Sequence, residues 1–407
     1  MWDERQLDGM EFIPEPTDSR IVSAADPTTV GHQEGWRGEV MGWSPEPIRV
    51  VPRRSTSGKN ILNVGIMLLL VLVMWSIWRS QFLFVEVTPQ QSEWAFEDSG
   101  VRSLQSLGLS GDGIRVCMVD TGIDTSHPDF NGLQLVFRDF ISTGNEPVDH
   151  GGLAHGTMMA GILVSNGYLN GVAPNVILGM AAALGEDDEG ENSGSEDKVA
   201  DAINWCWEKF GANIISLSLG GVRDPNATME GPSSSAVRQA LNNGVFVVAA
   251  AGNDGGEDDD GRVASPSNVK EVISVAALDK DNLIWQGSSI GSGIDNSGDA
   301  EIQPHQKPEI SAPGVDILST GPGGEYFIST GTSDSTVFVA GILSLILEAE
   351  PQIANGPDME CMGLVKTALK QSAVPLLDGV VHDPYWGYGA IDGLAWLEEI
   401  QALGSCN

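Results

Sequence analysis

Basic residues are scarce in this chain. It holds 21 Lys and Arg against 56 Asp and Glu, a formal net charge of −35. A phosphate backbone or an anionic lipid surface would be repelled by the bulk of such a protein, so nucleic acid is excluded as a partner. Cysteine is scarce too: there are four in 407 residues, with no CxxC pair, so a zinc site has no support. No internal repeat is visible. What remains is 41% hydrophobic, with 50 Gly and 21 Pro, a composition that excludes collagen, a coiled coil and a wholly disordered chain.

Ile61 to Trp78 is a long hydrophobic run of 18 residues in which Asn63 is the sole amide or charged member. As a helix it spans about 27 Å, the thickness of a bilayer core, and it shows no polar stripe of the kind a soluble core helix carries. Sixty residues precede it, and Arg79-Ser80-Gln81-Phe82 has no small-residue cleavage pattern. The run therefore predicts a transmembrane helix at 61–78 in preference to a signal peptide. Arg49, Arg53, Arg54 and Lys59 lie before it and Arg79 alone just after. This bias predicts a single-pass protein with its N-terminus in the cytoplasm and the larger part outside the cell. Residues 1–60, rich in Pro, Asp, Glu and Gly, read as a disordered cytoplasmic tail. Residues 79–91 read as a linker and 92–407 as one large domain.

Residues 79–407 hold 46 acids and 14 bases. Adaptation to high salt, which screens self-repulsion, accounts for such an excess, and folding should then improve as ionic strength rises. Two acidic runs, Glu186–Glu189 and Glu257–Asp260, sit among Gly and Ser and read as loops. Calcium is their sharper reading, although neither has EF-hand spacing. Cys117 and Cys206 read as apolar filler, in a strand and a helix. Cys361 and Cys406 could bridge if they face an oxidising compartment. Asn226-Ala227-Thr228 matches a glycosylation acceptor.

Short apolar runs alternate with helical patterns beyond Ser92. Ile114–Val119, Val176–Met180, Asn213–Leu219, Val245–Ala251 and Glu271–Ala277 are strand-like, and Lys198–Phe210 has helical spacing. The alternation predicts an α/β fold with a mainly parallel sheet covered on both faces, whose chemistry gathers at the carboxyl ends of the strands.

Four segments carry residue types suited to one chemistry. Val119-Asp120-Thr121-Gly122-Ile123-Asp124 ends a strand in a carboxylate; it is either rigidly placed for catalysis or a turn former. His155-Gly156-Thr157 opens an all-apolar helix, and an imidazole held there can take and return a proton or simply begin the helix. His127 and His150 are its nearest competitors. Gly331-Thr332-Ser333-Asp334 opens a second buried helix, where free N–H groups would stabilise an oxyanion on Ser333, or where Ser merely caps. Ala251-Gly252-Asn253 ends a strand in an amide that can donate to an oxyanion or tolerate a left-handed turn.

Taken jointly, in the order Asp, His, Asn, Ser, these segments resemble the subtilisin-type serine peptidases, the subtilases. The resemblance runs from about Trp94 to Leu397. It takes in Ser126-His127-Pro128-Asp129, Gly171-Val172-Ala173-Pro174, Ser218-Leu219-Gly220-Gly221, Pro308 to Gly314 and Gly387-Tyr388-Gly389. It implies a subtilisin-like three-layer fold and a membrane-anchored serine endopeptidase, with Ser333 as nucleophile, His155 as general base and Asp120 as its orienter. Asn253 and the Ser333 N–H would hold the oxyanion. Ser218, Leu219, Gly220, Ala251 and Gly252 would bind an extended peptide by strand addition, with Ser267 near the floor of the specificity pocket. The acidic loop Gly185–Asp197 would border the cleft and favour basic peptides. The chemistry requires no cofactor. Calcium is a candidate accessory ion, with no ligand set defined beyond Asp129, which matches a family calcium ligand beside a loop, Ser165–Asn170, shorter than the family's. Partners are peptide or protein substrates, and nothing sets an oligomeric state.

The nucleophile segment departs from the family run Met-Ala-Thr-Pro-His-Val-Ala-Gly, reading Asp334-Ser335-Thr336-Val337-Phe338-Val339-Ala340-Gly341. Asp334 is expected to point to water, favoured there by the helix dipole; next to the nucleophile it could instead raise the pKa of His155 or repel the oxyanion. The family's second histidine is Met158 here, a packing position. Arg79–Gln91 is too short for a folded inhibitory propeptide of the kind that commonly precedes secreted subtilases. The alternative function is a catalytically inactive subtilase-like domain that binds peptides or partner proteins; a third is a sensor reporting to the cytoplasmic tail.

Overall fold

The computed structural model describes residues 57–79, 92–144, 146–221, 230–256, 259–294, 298–354, 356, 358–404 and 406. The chain divides into two compact units, Met1–Glu86 and Val87–Asn407. Most of the expected tail and linker, Glu257-Asp258 and Asn226-Ala227-Thr228 lie outside the described residues.

In the first unit one helix is described, α1 (Ser57–Arg79). Its large apolar side chains from Val64 to Trp75 are 46–70% exposed. Its described apolar stretch is Asn63–Trp75. Among the described residues, Thr332–Ala349 is the one helix that meets both length and composition for crossing a bilayer, and 89% of it is buried. Its apolarity is that of a core helix.

The second unit begins with two short helices, α2 (Glu93–Asp98) and α3 (Val101–Ser106). Its strands are β1 (Arg115–Asp120), β2 (Leu135–Asp139), β3 (Ile177–Ala182), β4 (Gly185–Glu186), β5 (Asn192–Ser193), β6 (Ile214–Leu217), β7 (Phe246–Ala250), β8 (Ile273–Leu278), β9 (Ile310–Pro313), β10 (Ile317–Thr320) and β11 (Tyr326–Ser329). Seven of them form one sheet in the order β2-β3-β1-β6-β7-β8-β9, each pair parallel. β6, β7 and β8 are buried at every position, as befits strands covered on both faces. Helices α4 (His155–Val164) and α7 (Thr332–Ala349) pack on each other, with α7 running across β1 and β6 to β9. Helices α5 (Glu196–Trp205) and α6 (Pro232–Asn242) pack on each other and on β1, β3 and β7. The result is the expected layered, subtilisin-like arrangement.

The strand expectations correspond to β1, β3, β6, β7 and β8, each displaced by a residue or two. β1 lies between β3 and β6, so the chain leaves it on both sides and a crevice opens at its carboxyl end. Asp120 is the last residue of that strand.

Cys117 and Cys206 are not filler: they are bonded to each other, tying the middle of the sheet to the end of α5. Both are fully buried, as expected, but a partner 89 residues away in another element leaves no local signal. Cys361 is bonded to Cys406, tying helix α8 (Met359–Ser372) to the segment just after helix α9 (Gly393–Leu403). A second buried feature is an ionic cluster at the β8–β9 edge, in which only Lys366 comes from far along the chain. Glu309 Oε1 receives Lys307 Nζ at 2.8 Å and Lys366 Nζ at 2.5 Å, with all three side chains no more than 2% exposed.

Candidate active site

Asp120 is fully buried where β1 ends. Its Oδ1 accepts the Thr121 N–H and the His155 Nδ1–H, each at 2.7 Å, while Oδ2 is buried without a partner. Two glycines permit this approach of strand end to helix head. Gly122 has φ +123° and a Cβ there would lie 1.9 Å from the Val148 carbonyl oxygen; a Cβ on Gly156 would lie 2.1 Å from the Gly122 oxygen. His155 is the first residue of α4, and the other nine residues of that helix are all buried. Its ring is therefore anchored from below while 20% of the side chain faces the cleft.

A second carboxylate braces the dyad, and sequence reasoning missed it. Asp149 Oδ1 accepts the Thr121 hydroxyl at 2.6 Å, and its Oδ2 accepts the Thr157 N–H and hydroxyl at 2.8 and 2.6 Å. Thr121 Oγ1 in turn accepts the Gly156 N–H at 2.8 Å. Nothing in a Gly-rich loop six residues before the histidine marks this aspartate. The competing histidines are spent elsewhere: His150 pairs with Asp139 at 3.0 Å, and His127 Nδ1 accepts the Asp129 N–H. Met158 is buried.

Ser333 is 8% exposed on the first turn of α7. Its hydroxyl donates to the Ser218 carbonyl at 3.3 Å, and the Ser218 hydroxyl donates back to the Ser333 carbonyl at 3.1 Å. His155 and Ser333 line one cleft of about 870 Å³, with Ser218, Leu219, Gly220, Gly252 and Asn253. In this resting geometry the serine is turned toward β6 and the dyad faces the same space. Such contacts commonly tighten only when substrate binds. The Asn253 amide is oriented by Thr332, whose N–H and hydroxyl donate to its Oδ1 at 3.1 and 2.8 Å. That leaves the Nδ2 donors for the cleft.

Two substrate-binding expectations are displaced. Ala251 is fully buried, and its N–H and C=O are taken by the Val275 oxygen and the Ala264 N–H, so Ala250 and Gly252 line the cleft in its place. Ser267 is also fully buried and bonds the Ser274 hydroxyl at 2.6 Å. A recess of about 200 Å³ beside Asn253 is instead lined by Ala264, Gly220 and Gly252, with Asp254, Asp260 and Arg262 among its other walls. Glu191 and Glu196 of the acidic loop do reach the main cleft; Glu230 also lines it, paired with Arg238 at 2.9 Å.

Asp334 overturns the expectation that it points to water. It is 1% exposed; Oδ2 accepts the Ser329 hydroxyl at 3.0 Å and Oδ1 is buried without a partner. The helix dipole favours the charge but does not set the side-chain direction: α7 is sunk in the core, and the residues of its first turn are buried. Burial pushes Asp334 up to about 7, against the Ser329 hydrogen bond and the His155 charge, which pull it down. At His155 burial alone would push the imidazole down; Asp120, with Asp334 and Asp149 behind it, outweighs burial and holds it up at about 9.

The residues matching a calcium site do not fit a cation. Asp129 is 2% exposed, and its Oδ1 accepts the Tyr168 N–H at 2.7 Å and the Tyr326 hydroxyl at 3.1 Å, its Oδ2 the Leu169 N–H at 2.9 Å. Three donors already surround the carboxylate that would face the ion. Asp259 likewise spends both oxygens on the N–H groups of Gly261 and Ile290. Among the described residues no three His, Cys, Asp or Glu side chains converge as a metal site.

Comparison with known proteins identifies the family. The subtilase family matches residues 111–389. An alkaline protease of Alkalihalobacillus alcalophilus is 34% identical over 278 residues, 67% of this chain and 63% of that protein. Subtilisin Savinase of Lederbergia lenta is 34% identical over 273 residues, 65% of this chain and 88% of its own length. Among solved structures, the prenylagaramide maturation protease PagA superposes with a TM-score of 0.59 at 25% identity, covering 74% of this chain and 98% of that one.

Proposed function

This chain belongs to the subtilase family, and we propose that it is a membrane-anchored serine endopeptidase acting through Asp120, His155 and Ser333. The observation that carries the reading is the buried Asp120–His155 hydrogen bond of 2.7 Å opening onto the cleft that Ser333 lines from a helix head. Rotation of the Ser333 side chain away from the Ser218 carbonyl frees its hydroxyl to attack a peptide carbonyl. His155 takes that proton and passes it to the leaving amine, then repeats the exchange with water to release the acyl group. Asp120 keeps Nδ1 protonated, so that Nε2 is the basic nitrogen. The Asn253 amide and the Ser333 N–H at the start of α7 stabilise the oxyanion. Ser218 to Gly220 and Gly252 offer the walls along which an extended peptide lies.

The anchor is α1. Its run Ile61–Trp78 is long enough to span a bilayer, and its described apolar side chains stand exposed, which suits a lipid surrounding. The preceding Arg and Lys support an orientation with the N-terminus in the cytoplasm and the peptidase outside the cell.

A fluorophosphonate probe on the full chain in detergent tests the catalytic reading. Covalent labelling of the wild type, abolished by Ser333→Ala, is expected; an inert Ser333 in folded protein would favour a peptide-binding domain without catalysis. Carbonate-resistant membrane association, lost on deleting residues 61–78, tests the anchor, and release of the intact chain by carbonate would refute it.

A further inference from the structure

Asp334 stands directly after the nucleophile and is 1% exposed, with one oxygen satisfied by Ser329 and the other unpartnered. A buried carboxylate in that condition is costly as an anion unless it takes up a proton or faces a cation. The cation at hand is the imidazolium of His155, which lines the same cleft as Ser333. The carboxylates whose charge acts on that ring are Asp120, which hydrogen-bonds it from β1, Asp149 from the loop before α4, and Asp334, whose own hydrogen-bond partner is Ser329 of β11. Three carboxylates from three elements thus act on one imidazole, one of them by direct hydrogen bond.

Resting on the peptidase reading, we propose that Asp334 is a positioning residue for the general base: it helps hold the proton on His155 at rest and so sets the pH at which Ser333 becomes a nucleophile. The values of about 7 for Asp334 and about 9 for His155 agree with this. Between them Asp334 is a carboxylate and His155 an imidazolium, which cannot accept the Ser333 proton. As pH rises through the upper value His155 loses its proton and becomes a base, while Asp334 stays anionic. The same charge then favours the imidazolium each time it re-forms during acylation and deacylation. The cost is activity near neutrality, and the gain is a window moved to alkaline pH.

The test compares the full-length wild type with Asp334→Asn and Ser329→Ala. Two readouts are taken across pH: the fluorophosphonate labelling rate of Ser333, and the ring titration of His155 by NMR. In Asp334→Asn the acid limb and the ring titration should both fall by about one unit or more. At pH 7 labelling, relative to its own alkaline plateau, should then rise by about tenfold. Ser329→Ala should move both in the same direction by less, because Asp334 then keeps its proton to higher pH. A folded Asp334→Asn protein whose limb and ring titration match the wild type overturns the proposal. Absence of labelling in the wild type, with the ring titration still shifted by the variant, would instead sink the peptidase reading alone. If Asp334→Asn does not fold, Asp334→Leu and Ser329→Ala carry the test, and an unmoved limb in either overturns it.

Discussion

Replacing Asp129 by Asn, in a chain silenced by Ser333→Ala to prevent self-cleavage, should cost about 2–4 kcal/mol of folding stability. The carboxylate has two acceptor oxygens, and they receive the Tyr168 N–H, the Tyr326 hydroxyl and the Leu169 N–H. Asn offers one oxygen and one NH2. Whichever way it turns, one loop N–H meets a donor, and Leu169, 2% exposed, cannot turn to water. A buried donor left unpaired costs about 1–3 kcal/mol, and trading charged for neutral bonds at the remaining partners costs about 1 more. Urea unfolding followed by circular dichroism, run once with chelator and once with millimolar calcium, reads the difference between variant and parent in each condition. The two differences should agree, since the carboxylate is occupied by donors and not by a cation. A loss that appears in calcium and vanishes in chelator would show that Asp129 ligates an ion. A change below roughly 0.5 kcal/mol, the range of ordinary surface substitutions, would show that the loop does not depend on it.

Removing the Asn253 amide by Ala should lower kcat by about 10²–10³, a figure measured for an oxyanion donor in a subtilisin, with little change in KM; equal kcat values in variant and wild type would remove Asn253 from the oxyanion site. Glu309→Gln leaves Lys307 and Lys366 buried without their counter-charge and should destabilise by about 3–5 kcal/mol in urea titration. Burial already pushes Lys366 down to about 7. A lysine depressed in the folded state adds stability as pH rises from its folded toward its unfolded value, so the loss should be largest below pH 7 and shrink above it; a loss that grows with pH would contradict the cluster's charge assignment. Glu191 and Glu196 line the cleft, and their charge is expected to favour substrates with basic residues near the scissile bond. Matched peptides carrying Lys or Glu there should differ in kcat/KM in favour of Lys at low salt, and a preference for Glu would end the idea.

Segments whose role follows from local pattern were legible in the chain. The run Val116–Val119 is apolar because a parallel strand must be covered on both faces, and the carboxylate of Asp120 follows it where chemistry collects. His155 and Ser333 each open an apolar helix, and a helix buried all round holds its first residue firmly. Asn253 follows the same logic at the end of β7. The direction of a side chain and the partner of a distant group obey no such local rule. Whether Asp334 faces water depends on what packs over the head of α7, and that is decided by β11 and α4, elements far apart in sequence. Cys117 finds Cys206, Asp129 finds the loop at 168–169, Asp149 finds Thr121, and Glu309 finds Lys366, all through chain closure over tens of residues. The sequence by itself determined the strand–helix alternation and the four segments that carry chemistry; only the tertiary structure decided which charges share the cleft, because an electrostatic interaction depends on distance and burial through space and not on separation along the chain.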